Sequence, residues 1–196
     1  MKNIRTKRRI NKIRSVIKLR QPSLTIVLEN IHDPHNVGAI IRTCDAAGIP
    51  KVFLLYNVES FPKIGKKSSA SAFKWVEREK YKSVDECYNT LRENGFKIFA
   101  SQVSEDSKDI YDLDFTGNSA IILGNENRGI SEEAAEYADE RFIIPMYGMV
   151  QSLNVSVSAA IIIYEALRQR KLKGMYNKTD ISDEQIENEL LKWSEK

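Results

Sequence analysis

The chain has 196 residues, 42% of them apolar and 29% charged, with a net charge of +3. That is a one-domain length with enough apolar material for a buried core. No apolar run approaches the ~18 residues that a membrane span needs, and no apolar segment follows the basic N-terminus as in a secretory signal, so a cytoplasmic location and no membrane partner are expected. The two cysteines, Cys44 and Cys87, stand apart without a Cys-x-x-Cys pair, which fits small buried thiols in a reducing compartment.

The small net charge hides an asymmetry. Residues 1–20 carry nine Lys/Arg and no Asp/Glu, so the remainder holds 21 basic against 27 acidic groups. Ile4, Ile10, Ile13, Val16, Ile17 and Leu19 recur at helical spacing within this segment, predicting a basic helix whose apolar stripe packs on something. A localised basic helix beside an acidic body suits a polyanion such as nucleic acid; a solvated surface helix and a membrane-surface helix are the competing readings.

Past Pro22, short β-branched runs alternate with helical ones. "LTIVLE" (Leu24–Glu29) predicts a buried strand, "VGAIIRTCDAAG" (37–48) a helix closed by glycine, and "KVFLLY" (51–56) the next strand, together a βαβ unit. "FPKIGKKSSASAFKW" (61–75) reads as a polar, lysine-rich loop. Ser83 and Glu86 form a capping box opening a helix that ends at Gly95, and "KIFAS" (Lys97–Ser101) is the strand after it. "SAIILG" (119–124) predicts a further strand, Ser131 caps a short acidic helix, "RFIIP" (141–145) is the last strand, and a long helix runs from about Ser152 to Arg170. The C-terminal stretch predicts a turn and an amphipathic helix with Ile186, Leu190 and Trp193 on one face. This alternation predicts an α/β fold, a mostly parallel sheet with helices on both faces, whose ligand site lies on loops beyond the carboxyl ends of the strands.

Three of those loops are rich in polar groups: "NIHDPHNVGAIIRT", "GNENRGIS" (124–131) and "IPMYGMVQSLNVS". The second has glycines five apart but no Lys-Ser/Thr after them, which excludes a P-loop, and no G-x-G-x-x-G occurs. His32 and His35 flank Asp33-Pro34, but they are the only histidines and no thiolate pair is near, so no metal site is expected. Asn154-Val-Ser156 matches a glycosylation acceptor by chance, given no secretory signal, and no nucleophile elbow appears.

In order and spacing the three loops resemble the three motifs of the SPOUT superfamily of S-adenosylmethionine-dependent RNA methyltransferases. The first motif is carried by Asn30, Asp33, Pro34, Asn36, Gly38 and Arg42. The second is carried by Gly124, Glu126 and Gly129, and the third by Ile144, Pro145, Met146, Ser152, Leu153, Asn154 and Ser156. Within the superfamily the chain is most similar to the family that methylates the ribose 2'-oxygen of tRNA guanosine 18. That resemblance implies a homodimer with a deep C-terminal trefoil knot, although chains as a rule do not knot. It divides the chain into a basic RNA-binding extension (1–20), a catalytic domain (21–170) and a helical C-terminal extension (171–196).

It also implies roles. Arg42, Asn36, Glu126, Ser152 and Asn154 become the catalytic set, with Asn36 and Glu126 orienting Arg42. Ser101, Gly124, Asn125, Ile144, Met146 and Leu153 become the cofactor-binding set for S-adenosylmethionine. Lys7, Arg8, Arg9, Lys12 and Arg20 become contacts to the tRNA. Gln151 to Asn154 then form a shelf at a helix start, where unpaired backbone N–H groups are available; without the resemblance, Ser152 reads as an N-cap and Asn154 as a first-turn residue. Guanidinium stays protonated and has no acceptor, which favours a charge role for Arg42 over a general base. The same chemistry on ribosomal RNA or at another tRNA position, and a non-catalytic RNA-binding protein, are the alternatives.

Overall fold

The computed structural model of the chain describes residues 6–62, 72–179 and 181–194. Helix α1 (Lys7–Lys18) leads into strand β1 (Leu24–Glu29), helix α2 (Pro34–Ala46) and strand β2 (Lys51–Leu55). A short 3-10 turn (Ala72–Lys74) precedes β3 (Glu77–Tyr81), α3 (Val84–Glu93) and β4 (Lys97–Ser101). Then come β5 (Lys108–Asp109), β6 (Ser119–Leu123), α4 (Glu132–Glu136), β7 (Glu140–Ile143), α5 (Val155–Leu172) and α6 (Asp183–Ser194).

Seven strands form one sheet in the order β3-β2-β1-β6-β4-β7-β5, and every adjacent pair is parallel. All six residues of β1 are buried, as befits a central parallel strand covered on both faces. One face packs against α2 and α5 through Ile40, Ile41, Ile162 and Ile163. The other packs against α3 and α4 through Val84, Leu91, Ala134 and Ala135. The βαβ unit, the helix capped by Ser83, the Ser131 cap and the three-residue apolar face of α6 all appear as the sequence suggested.

Some expectations need correction. Strands β3 and β5 were not foreseen: β3 reads "EREKY", with no apolar alternation, and is held by β2 on one side only. The long helix starts at Val155, not Ser152, because Asn154 is the N-cap, its side chain accepting from the Ser156 N–H. Leu19, placed on the apolar stripe of the basic segment, is 46% exposed. Ile4 and most of the 61–75 loop lie outside the described residues.

Helices α1 and α6 pack on each other, burying Ile13, Ile17, Ile186, Leu190 and Trp193. Trp193 meets Trp75 with ring centroids 4.8 Å apart, a contact worth about 0.5–1.5 kcal/mol beyond its buried area. Arg20, expected on the tRNA, lies inside this joint at 3% exposure. Its guanidinium pairs with Asp45 at 2.6 Å, donates to the Ile49 carbonyl at 3.1 Å and sits 5.0 Å over the Trp193 ring. A buried arginine this tightly held locks α1 to the body and is not offered to RNA.

Arg170, near the end of α5, is fully buried. It donates to the carbonyls of Phe115, Gly117 and Ser23 and to the Ser23 hydroxyl at 2.6–2.9 Å. With Gln169, which donates to the Leu113 carbonyl at 2.9 Å, it fastens the helix to the 113–117 segment and to the start of β1.

Candidate active site

The carboxyl ends of β1, β2, β4, β6 and β7 open on one edge of the sheet, and the three motif loops meet there. Asn30, just past β1, adopts a left-handed conformation (φ 51), which asparagine tolerates better than most residues. Its side-chain oxygen accepts from the Val58 and Glu59 N–H groups at 3.1 and 3.0 Å, and its amide donates to Asn57 at 2.6 Å. The first loop is thereby tied to the end of β2. Tyr56 adds a second tie, donating to the Ile31 carbonyl at 3.0 Å. Burial, reinforced by the Glu126 and Glu59 charges, pushes this phenol well above its ordinary range, so it stays a donor.

The second loop is a tight turn in which Asn125 and Gly129 exchange backbone hydrogen bonds at 2.9 and 2.8 Å. Asn125 is buried. Its amide donates to the Asn30 carbonyl at 2.7 Å, and its oxygen accepts from Asn127 and Arg128 N–H groups. Its side chain therefore builds the loop, and with its backbone N–H and C=O both paired to Gly129, Asn125, expected to bind the cofactor, serves the turn instead. Gly124 packs so closely on the returning strand that a Cβ there would lie 2.1 Å from the Gly129 carbonyl carbon. Beneath the turn, the buried Glu29 carboxylate accepts from the Ser131 N–H at 3.0 Å. Burial raises its pKa, only partly offset by Ser131.

The three loops are joined by side chains. Glu126 accepts from the His32 N–H at 2.8 Å, the Asp33 N–H at 3.2 Å and the Asn36 amide at 2.8 Å. The Asn36 oxygen in turn accepts from the Asn154 amide at 3.2 Å. Asn154 caps α5 through bonds from Ser156 N–H at 2.8 Å and Ser156 Oγ at 2.6 Å. Desolvation opposes ionisation of Glu126, but the bonds from Asn36, His32 and Asp33 outweigh it and hold the carboxyl below its ordinary 4.5. A group with a depressed folded pKa contributes stability that is complete above 4.5 and is lost as pH falls through the folded value. Glu126→Gln removes one of the two acceptor oxygens and the charge. Hydrogen exchange at the His32 and Asp33 amides should then speed up about tenfold, and an unchanged rate would show that Glu126 holds nothing.

The third loop follows β7. Ile144 packs against the core, Met146 is half-buried, and Ser152 and Leu153 are exposed. From Tyr147 to Leu153 no backbone hydrogen bond to a described residue is made, leaving the N–H and C=O groups of this stretch without a partner among those residues. Such a strip can hold the edges of a nucleoside through backbone groups alone.

Not every expected residue joins this network. Ser152 makes no side-chain hydrogen bond among the described residues. Arg42 is exposed and forms no side-chain hydrogen bond or ion pair among them. Asn36 and Glu126 therefore do not orient it, contrary to expectation. Six residues along α2 from Asn36, it is rotated by about 240° onto another face. Lys7, Arg8, Arg9 and Lys12 are exposed on α1. Residues the sequence reading did not single out are Glu29, Tyr56 and Asn57; a carboxylate closing the apolar run "LTIVLE" was the available signal for the first. Among the described residues no helix is long and apolar enough to cross a membrane, and no group of three or more His, Cys, Asp or Glu side chains could hold a metal ion.

This arrangement can be set beside known proteins. The SpoU rRNA Methylase family model matches residues 23–164, from the start of β1 into α5, taking in all three loops. The chain belongs to this family. Among SpoU-family relatives, the tRNA (guanosine(18)-2'-O)-methyltransferase of Thermus thermophilus is 41% identical over 98% of each chain. The Escherichia coli protein of the same name is 40% identical over 86% of this chain and 73% of that one. The crystal structure of the Aquifex aeolicus TrmH/SpoU tRNA modifying enzyme superposes with a TM-score of 0.90 at 38% identity, covering 96% of both chains. The SpoU methyltransferase AviRb from Streptomyces viridochromogenes, solved in complex with AdoMet, matches with a TM-score of 0.71 at 26% identity over 80% of this chain and 64% of that one.

Proposed function

We propose that this chain is a tRNA (guanosine-18-2'-O)-methyltransferase that uses S-adenosylmethionine. The observation that carries the reading is the hydrogen-bonded chain from Glu126 through Asn36 to Asn154, which draws the three motif loops into one pocket. The residues fit the cofactor: the unpaired backbone of 147–153, with backbone groups of Ser101, Gly124, Ile144, Met146 and Leu153, would hold its adenine and ribose. When bound, it supplies an electrophilic methyl carbon. No metal is needed for that transfer.

The chain's own residues position and neutralise. Asn154 and Asn36 fix the floor on which a ribose is aligned, and alignment supplies much of the rate. The ribose hydroxyl must lose its proton as the new bond forms. Arg42 cannot accept that proton, so it stabilises the developing alkoxide or grips the neighbouring RNA phosphate, whose oxygen takes the proton. Ser152 lies on the same shelf as a polar contact to the substrate. Because Arg42 faces away from the Asn36 network of its own chain, it is available to the pocket of a second copy. We therefore infer a homodimer, supported by the exposed Val157 and Tyr164 on α5 and Tyr147 and Met149 beside it.

The remaining finer readings follow from the same picture. Lys7, Arg8, Arg9 and Lys12 on α1 would meet tRNA phosphates, with residues 1–20 and 171–196 acting as one RNA-binding unit around a catalytic domain at 21–170. The bonds from Gln169 and Arg170 to residues 113–117 support a trefoil knot closed by α5. A cytoplasmic enzyme follows from a tRNA substrate. The test is nucleoside mass spectrometry of an unmodified tRNA incubated with protein and S-adenosylmethionine. 2'-O-methylguanosine mapping to the D-loop fragment is expected; methylation elsewhere, or only on ribosomal RNA, would overturn the assignment.

A further inference from the structure

Strand β3 is the outermost strand of the sheet and pairs only with β2. Its sequence, Glu77-Arg78-Glu79-Lys80-Tyr81, alternates sign, and strand side chains alternate faces. The acids fall on one face, where Glu79 accepts from Lys51 Nζ at 2.9 Å and from the Tyr81 hydroxyl at 2.5 Å. The cations fall on the other. Arg78 Cζ sits 4.7 Å from the Phe73 ring centroid, and Lys80 Nζ sits 4.7 Å from that of Phe61. Neither cation makes an ion pair with a carboxylate among the described residues.

Both rings pack on the core beneath α2 and α5. Phe61 also touches Tyr56, with ring centroids 5.4 Å apart, and Tyr56 holds the first motif loop through Ile31. The cationic row therefore starts beside the pocket and runs along the sheet edge. Two same-face positions on a strand lie about 6.7 Å apart, comparable to the step between successive phosphates of an extended strand. A cation seated on a ring keeps its N–H groups outward while its stem is held, which lowers the ordering cost of gripping a phosphate. The body outside residues 1–20 has fewer basic than acidic groups, 21 against 27, so two neighbouring cations without a carboxylate partner among the described residues are not the average surface of this protein.

We infer that the Arg78–Lys80 face of β3, mounted on Phe73 and Phe61, is a binding surface for the sugar-phosphate backbone of the substrate RNA next to the reacting nucleotide. This rests on the reading of the chain as an RNA methyltransferase and adds a contact far along the chain from the basic N-terminal helix. The competing role for such cations is to guard a sheet edge against strand pairing, which would leave RNA binding untouched by their loss.

The test compares the parent protein with Arg78→Gln/Lys80→Gln and with Arg78→Lys, measuring binding of an unmodified tRNA transcript across a salt series. Between about 50 and 200 mM salt, the double variant should bind about tenfold more weakly at the low end, with a slope of log K against log[salt] shallower by about 1.4–1.8. Its S-adenosylhomocysteine affinity and its kcat at saturating tRNA should match the parent, the loss appearing in KM. Arg78→Lys keeps the charge and should keep the binding. Parental affinity and slope in the double variant would overturn the inference, as would an equal loss in Arg78→Lys, which would mark a structural role. A parent that binds tRNA without methylating it removes the enzyme reading and leaves this surface standing; a parent that binds no tRNA removes both.

Discussion

Arg42→Ala is expected to lower kcat on tRNA by about 10²–10³-fold, the range seen when a single preorganised electrostatic group is deleted from an active site. The fold should not notice. Arg42 is exposed on α2 and makes no side-chain hydrogen bond among the described residues. Alanine is at least as good a helix former, so stability should stay within about 0.5 kcal/mol of the parent. S-adenosylhomocysteine binding should also survive, because no loop of the pocket leans on this side chain. Arg42→Lys should recover only part of the activity, since a compact ammonium keeps the charge but not the planar fork that engages a phosphate or alkoxide with two N–H groups. Single-turnover methylation alongside calorimetric titration separates these outcomes, and turnover near the parental rate in Arg42→Ala would remove the charge role assigned here.

Gly124→Ala is expected to damage the pocket itself. The added methyl carbon would lie 2.1 Å from the Gly129 carbonyl carbon, 2.2 Å from the Ile130 nitrogen and 2.3 Å from the Gly129 oxygen. All three are backbone atoms, so no side-chain rotation relieves the clash, and the turn must open. Opening it strains the paired backbone bonds of Asn125 and Gly129 and moves Glu126 away from Asn36. A destabilisation of about 3 kcal/mol or more follows, at the upper end of what overpacking costs, read as a fall in the urea midpoint with m unchanged. S-adenosylhomocysteine binding should be lost with it. Gly117→Ala is the control: its Cβ would meet no atom within 4 Å, and both measurements should match the parent.

Much of this architecture is legible in the chain because local signals agree with global ones. "LTIVLE" is apolar throughout because β1 is covered on both faces, and Ser83 and Ser131 announce their helices because an orphan N–H needs an oxygen. Strand β3 is not legible, since its charges satisfy neither strand pattern and only the register with β2 makes it a strand. Arg20 misleads for a related reason. Within the sequence it is one more cation in a basic run, and its burial depends on Asp45 and Trp193, which no local pattern connects to it. The motif residues of the site are found by resemblance, but their pairing is not. That Asn36 bridges Glu126 and Asn154 instead of reaching toward Arg42 depends on the rotation of α2 and on where α5 is capped.

Arg170 carries a consequence for biosynthesis. Its guanidinium meets groups that leave the ribosome long before it does, Ser23 by 147 residues and Phe115 by 55. Until α5 arrives, the carbonyls of Ser23, Phe115 and Gly117 have no arginine to satisfy them, and the part of the sheet face that α5 covers stands bare. A nascent chain can pair β1 with β2 early, yet the methyl-transfer pocket closes only once α5 has been made, so fragments that stop short of it present an open apolar layer to chaperones and proteases.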